Sequence, residues 1–108
     1  MKVAVTARGA GLGAWLDEDF AHCLQVVIVD DSDRFQAWDN PFREEPEDQA
    51  AEKLANRLIE SNVNAIITRQ IPASSEAILK KAGIDIHLAE QGAVLSLVEQ
   101  ARSRPNAA

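Results

Sequence analysis

Residues 20–31 read Phe20-Ala21-His22-Cys23-Leu24-Gln25-Val26-Val27-Ile28-Val29-Asp30-Asp31, and the reading of this stretch decides the fold. Its second half is a short apolar run that stops at paired aspartates. That pattern predicts a strand over Leu24–Asp30 followed by a turn. Asp31-Ser32-Asp33 supplies the turn, because short oxygen-bearing side chains bond neighbouring backbone. Arg34–Trp38 then returns as a further strand, so the two form a hairpin. The first half holds the single cysteine and one of the two histidines in the chain. Upstream, Lys2–Thr6 reads as a strand that is apolar on both faces at Val3, Ala4 and Val5, which suits a central place in a sheet covered on each side. The loop Arg8–Gly13 follows, its glycines permitting positive φ.

Downstream, Asn40-Pro41 closes the hairpin, since proline cannot donate to a ladder and biases its predecessor to extended geometry. Residues 42–48 read as an acidic linker. A helix is predicted over Glu47–Glu60, with Ala51, Leu54, Ala55, Leu58 and Ile59 on one face. Glu44, Glu45, Glu47 and Asp48 lie at its positive end, where carboxylates are favoured. Ala65–Thr68 is a short apolar strand. Pro72 suits the first turn of a second helix, which runs to Ala82 and stops at Gly83. Ile84, Ile86 and Leu88 alternate with Asp85 and His87 as a half-buried strand. Gly92 or its neighbour opens a last helix through Val94, Leu95, Leu97, Val98 and Ala101. The order is βββαβαβα: one α/β domain over residues 1–102 and a frayed tail over 103–108.

A chain of 108 residues has the size of one domain and can bury a core without disulfides. A net charge of −6 gives no basic footprint, so nucleic acid and anionic membrane are not expected partners. One cysteine excludes an internal disulfide framework and fits a reducing compartment. The opening MKVAVTARG is interrupted too soon for a signal peptide, and no run approaches membrane-spanning length. A cytoplasmic location is expected.

The sharpest motif is Gly9-Ala10-Gly11-Leu12-Gly13-Ala14, a G-x-G-x-x-A after a strand, with Asp30 and Asp31 about 20 residues on. Asp17, Glu18 and Asp19 argue against it, because they crowd the expected helix start with negative charge where a pyrophosphate needs the opposite. The hairpin that follows is also not a second βα unit. A structural loop or lid is the alternative reading. The βββαβαβ order of elements resembles that of a ribonuclease H fold, but two-metal nuclease chemistry needs carboxylates at the sheet centre. Val3-Ala4-Val5-Thr6 and Ala65-Ile66-Ile67-Thr68 carry none. His22 and Cys23 are neighbours, which point to opposite faces of a regular strand, so both bind one metal only from irregular backbone. Cys23 reads otherwise as a small buried hydrophobe. No nucleophile is set up near either histidine for a triad, and no enzyme activity is expected.

Several strings taken together resemble the dinitrogenase iron–molybdenum cofactor biosynthesis family, the small domains related to NifX, NafY and the C-terminal part of NifB. These are MKVAVTARGAGLGAWLDEDFAHCLQVVIVD, the Asp39-Asn40-Pro41 that closes the hairpin, QAAEKLANRLIESNVNAIIT, KKAGIDIH and the glycine-opened last helix. The resemblance implies a ribonuclease H-like α/β domain with a five-stranded mixed sheet of order 3-2-1-4-5, strand 2 antiparallel, and three helices. It also implies an iron–sulfur or iron–molybdenum cofactor precursor as ligand and metallocluster-assembly proteins as partners. Members often carry His-Phe-Gly or Arg-Phe-Gly before strand 2. Here the string is Asp19-Phe20-Ala21-His22-Cys23.

In that sheet order, the ends of strands 1, 4 and 5 and the start of strand 2 share one edge. Arg8, Gly9, Gly11, Arg69 and His87 fall there as ligand-binding residues, and Cys23 and His22 as metal ligands. Crevices at strand ends are where open α/β sheets bind ligands, and arginines with a helix N-terminus attract anions. The first functional reading is therefore a non-catalytic carrier or scaffold that holds a metallocluster or an anionic ligand at this crevice. The second is a protein-interaction module of the same fold whose ligand site is lost, using apolar surface such as Trp15, Leu16 and Trp38. The third is a nucleotide-binding enzyme working through the glycine loop.

Overall fold

Val3–Ala7 forms β1 and is buried along its whole length. Nothing in Val-Ala-Val-Thr-Ala is charged, so layers can cover both faces, and the one polar side chain finds a partner: Thr6 Oγ1 donates to Thr68 Oγ1 at 2.9 Å. The structure, a computed structural model, describes residues 1–103. β2 (Gln25–Val29) runs antiparallel to β1, and β3 (Phe35–Asp39) antiparallel to β2. β4 (Ala65–Thr68) lies parallel to β1, and β5 (Asp85–Leu88) parallel to β4. The sheet order is β3-β2-β1-β4-β5. Among the described residues there are three helices: α1 (Glu47–Glu60), α2 (Ala73–Lys81) and α3 (Val94–Ser103). The expected mixed five-stranded architecture is the observed one. Of the expected frayed tail, Ser103 closes α3, and residues 104–108 lie outside the described residues.

Alternation along the strands sorts the core into two layers. Ala4, Val26, Ile28 and Ile66 join Leu54, Leu58 and Leu79 under α1 and α2. Val3, Val5, Val27, Val29 and Ile67 join Val94, Leu97 and Val98 under α3. Each such valine, leucine or isoleucine contributes roughly 1.5–3 kcal/mol when fully buried, against about 1 kcal/mol net for a ladder hydrogen bond. Packing therefore decides the register, because a one-residue slip would reverse every face.

Local chemistry closes the elements. In the hairpin, Asp30 Oδ1 accepts the N–H groups of Ser32 (2.8 Å) and Arg34 (3.1 Å), and Asp33 takes a left-handed φ of 59°. The Ser32 N–H, helped by Arg34 and Arg102, holds the Asp30 carboxyl below its usual range. Arg102 of α3 donates to Asp33 Oδ1 at 2.7 Å and to the Asp30 carbonyl, tying the last helix to the hairpin. α2 ends in a Schellman turn: the N–H of Gly83, at φ 82°, donates to Lys80 O, and the Ile84 N–H to Leu79 O, both at 3.0 Å. Pro72 sits one residue outside α2 as its N-cap, with ψ at 143°, because its extended conformation cannot be helical.

The glycines of the Arg8–Gly13 loop make no use of positive φ, whereas Gly83 and Gly92 do. One expectation about this region is corrected. Leu16 is not exposed apolar surface but 3% accessible, because its bridge to Ala7 places it in the core under α3.

Gly92 has φ 141°, and a Cβ there would stand 3.0 Å from Leu97 Cδ2, whereas one on Gly11 would meet nothing within 4 Å. Gly92→Ala is expected to cost about 1–3 kcal/mol, and Gly11→Ala less than about 0.5 kcal/mol. Urea unfolding of the two variants checks the contrast.

Candidate functional site

β1, β4 and β5 end, and β2 begins, along one edge of the sheet. Residues 8–24 cross that edge in two legs. The first leg lies on the α3 side, where Arg8 N–H donates to Trp15 O at 2.9 Å and Trp15 bridges Ala93. The carbonyls of Ala14 and Leu12 accept the N–H groups of Val94 and Leu95, both at 2.9 Å. These are first-turn donors that a helix cannot satisfy internally. The glycine loop thus caps α3, whose positive end is engaged by the chain itself.

The second leg, residues 17–24, lies on the α1 side. Asp17 N–H donates to Thr6 O at 2.9 Å, and Phe20 N–H to Gln70 O at 3.0 Å. Phe20, Ala21 and Cys23 are fully buried and draw this leg into the core. Asn40 locks it there. Its Nδ2 donates to Ala21 O (2.9 Å), Cys23 O (3.0 Å) and Cys23 Sγ (3.6 Å), and its Oδ1 accepts the Phe42 N–H at 3.0 Å. Burial pushes the Cys23 thiol up to about 12, the Asp17 carboxylate adds to the rise, and the Asn40 N–H opposes it. As folded, Cys23 is a protonated thiol sealed in the core, with no donor atom facing the edge.

His22, held between buried neighbours, remains half-exposed. Its Nδ1 lies 3.0 Å from Asp19 Oδ2 and its Nε2 3.1 Å from the Glu45 carbonyl. Donor atoms of Asp19, His22 and Glu47, the first residue of α1, all lie within 4.8 Å of one another. Beside them opens a cavity of about 230 Å³ lined by Asp19, Glu47, Gln70, Ile71 and Pro72. Glu45 is paired with Lys53, but among the described residues no lysine or arginine pairs with Asp19 or Glu47. This crevice is acidic and suits a cation, where an anion site was expected.

The remaining site residues do not converge on it. Arg8 pairs with Glu18 at 3.1 Å and Arg69 with Glu90 at 3.6 Å, so both guanidinium groups are engaged by carboxylates of neighbouring loops. His87 lies on the other face of the sheet, with Ile67, Leu97, Gln100 and Ala101, because its place in β5 pairs it with Ile67. Of the apolar surface residues, Trp15 is 49% exposed, while Trp38 packs on the core and lies under Arg57, whose Cζ is 4.6 Å from the ring centroid. Asp19, Glu47 and Asn40 are site residues that sequence reasoning missed. The three-residue spacing of Asp19 and His22 is a local signal, but nothing local links either to position 47.

The model of a family described as dinitrogenase iron–molybdenum cofactor matches residues 1–104. None of the curated proteins compared matches the chain. Among solved structures, the apo form of the orange protein from Desulfovibrio gigas is 25% identical with a TM-score of 0.86, over 94% of this chain and 86% of that one. A NifB-type protein from Thermotoga is 21% identical with a TM-score of 0.78, over 95% of this chain and 89% of that one. The second likeness shows the fold alone.

The Cys23 thiol is expected to resist an aromatic disulfide reagent at neutral pH and to react fully in denaturant. Its folded value of about 12 stands above the ordinary 9.0, so the unfolded thiol ionises first. This group leaves stability unchanged below about pH 9 and lowers it as the pH rises towards 12, a fall that Cys23→Ala should reduce. Asn40→Ala leaves two carbonyls and an N–H without their partner and is expected to cost about 1–3 kcal/mol, read from the urea midpoint.

Proposed function

The chain belongs to the dinitrogenase iron–molybdenum cofactor family, and from that premise we propose that it is a non-catalytic carrier or scaffold domain in metallocluster assembly. Its cargo on this reading is an iron–sulfur or iron–molybdenum cofactor precursor, received from and passed to assembly proteins in the cytoplasm. The observation that carries the reading is the family match over residues 1–104. It is supported by the 25% identity to the orange protein, whose structure is an apo form. The same strand order is the basis for reading the sheet as ribonuclease H-like.

The cargo edge is the one where residues 8–24 cross the strand ends. A thiolate from Cys23 does not fit this role in the folded chain, because the thiol is buried and its ionisation is disfavoured. His22, half-exposed, offers an imidazole donor at that edge. On this reading Arg8, Gly9, Gly11 and Arg69, elsewhere along the edge, are contacts for anionic cargo, which must displace Glu18 and Glu90 from the two arginines. His87, on the α3 face, has no part in this first contact. A second reading, an interaction module without cargo, is favoured by Trp15, half-exposed on the same edge.

Anaerobic reconstitution with iron and sulfide, read by visible absorption, separates the two. The carrier reading expects absorption in the wild type, retention of it in Cys23→Ser, and loss of most of it in His22→Ala. A wild type that takes up no chromophore sinks the carrier and leaves the interaction module.

A further inference from the structure

We propose that Asp19, His22 and Glu47 form a mononuclear site for a divalent first-row transition-metal ion, with open coordination positions facing the adjoining cavity. This inference does not rest on the carrier reading.

The hydrogen bonding around His22 argues for it first. Both ring nitrogens face atoms that only accept, the Asp19 carboxylate at 3.0 Å and the Glu45 carbonyl at 3.1 Å. A neutral imidazole has one N–H and one lone pair, so in that state one nitrogen points its lone pair at an acceptor oxygen. Either a second proton or a metal ion removes the conflict. The spacing admits the ion: two donors about 2.1 Å from a shared metal stand about 3.4 Å apart at the tetrahedral angle, so the 3.0 Å between His22 Nδ1 and Asp19 Oδ2 has to widen by only a few tenths of an ångström. With Nδ1 on the metal, Nε2–H donates to Glu45 O, a backbone partner that fixes tautomer and ring orientation as outer partners of metal-bound histidines do.

Charge and reach agree. Asp19 and Glu47 bring two carboxylates that no lysine or arginine pairs with among the described residues. The widest donor separation, up to 4.8 Å, must close to about 4.2 Å or less for a common ion, and rotation of the exposed Glu47 side chain supplies that. The positive end of α1 beside Glu47 works against affinity without cancelling two carboxylates. One imidazole with two carboxylates selects zinc, cobalt, iron or manganese over magnesium and calcium, which favour all-oxygen sets. Three protein ligands leave positions open, and the cavity of about 230 Å³, bounded also by Gln70, Ile71 and Pro72, gives water or a small ligand access to them.

The test is titration of the protein with zinc alone, by competition against a chromophoric chelator, with cobalt as the spectroscopic probe. One equivalent is expected to bind, and His22→Gln and Glu47→Gln are each expected to weaken binding roughly tenfold or more. Cys23→Ser should leave it unchanged, and the cobalt form should lack a thiolate charge-transfer band. Glu47 is exposed on the first turn of α1, so Glu47→Gln reports on binding even if His22→Gln fails to fold. Zinc binding no tighter in the wild type than in Glu47→Gln overturns the inference, as does dependence on Cys23. If zinc fails while the iron–sulfide chromophore forms, this site is wrong and the carrier reading stands. If zinc binds and no chromophore forms, the reverse holds.

Discussion

One buried amide holds the functional edge together. Asn40 is 3% exposed, and its side chain reaches the carbonyls of Ala21 and Cys23 and the N–H of Phe42. It thereby joins the connection that crosses the strand ends to the segment that enters α1. A buried carbonyl without a partner is expensive, and here a single residue at the end of β3 serves two of them. The position of His22 relative to Glu45 and Glu47 is a consequence of that link.

The same edge shows how loops decide the sign of a site while leaving the sheet alone. Strand-end crevices in α/β sheets commonly receive anions at helix N-termini. In this chain the first turn of α3 is capped by the carbonyls of Leu12 and Ala14, and Arg8 and Arg69 are held by Glu18 and Glu90. What remains open is the side lined by Asp19 and Glu47. The balance of charge therefore turns towards cations at a place where the strand order alone suggests the opposite. Anionic cargo reaches the arginines only by competing with two exposed carboxylates, and exposed pairs of this kind are worth at most about 1 kcal/mol.

Cys23 shows how far neighbours in sequence can differ in chemistry. His22 keeps part of its ring at the surface, while the next residue is wholly enclosed, with its thiol raised to about 12. What separates them is the turn at Ala21 and His22 ahead of β2, and not the strand alternation by which β2 shows Val26 and Ile28 to one layer and Val27 and Val29 to the other. A residue so placed adds to packing, and its oxidation or metal binding first requires the core to open.

Periodicity and turn chemistry are local properties, and what depends on them was legible in the chain. The α1 span Glu47–Glu60 and the β4 span Ala65–Thr68 are the observed ones. The hairpin at Asp30–Arg34 and the stop at Gly83 are also where their residues placed them. The strand order came through likeness to a family, because alternation shows which faces are apolar and not which strands are neighbours. The site was legible only in fragments. Arg8, Arg69 and His22 do lie at the strand-end edge, but whether an arginine is free or paired, and whether a cysteine faces a crevice or a core, depends on residues far away in the chain. Asp19 and His22 meet Glu47 only because Asn40 and the start of α1 bring a distant carboxylate beside them. Local chemistry specified the elements, and long-range packing alone chose which charges share a crevice.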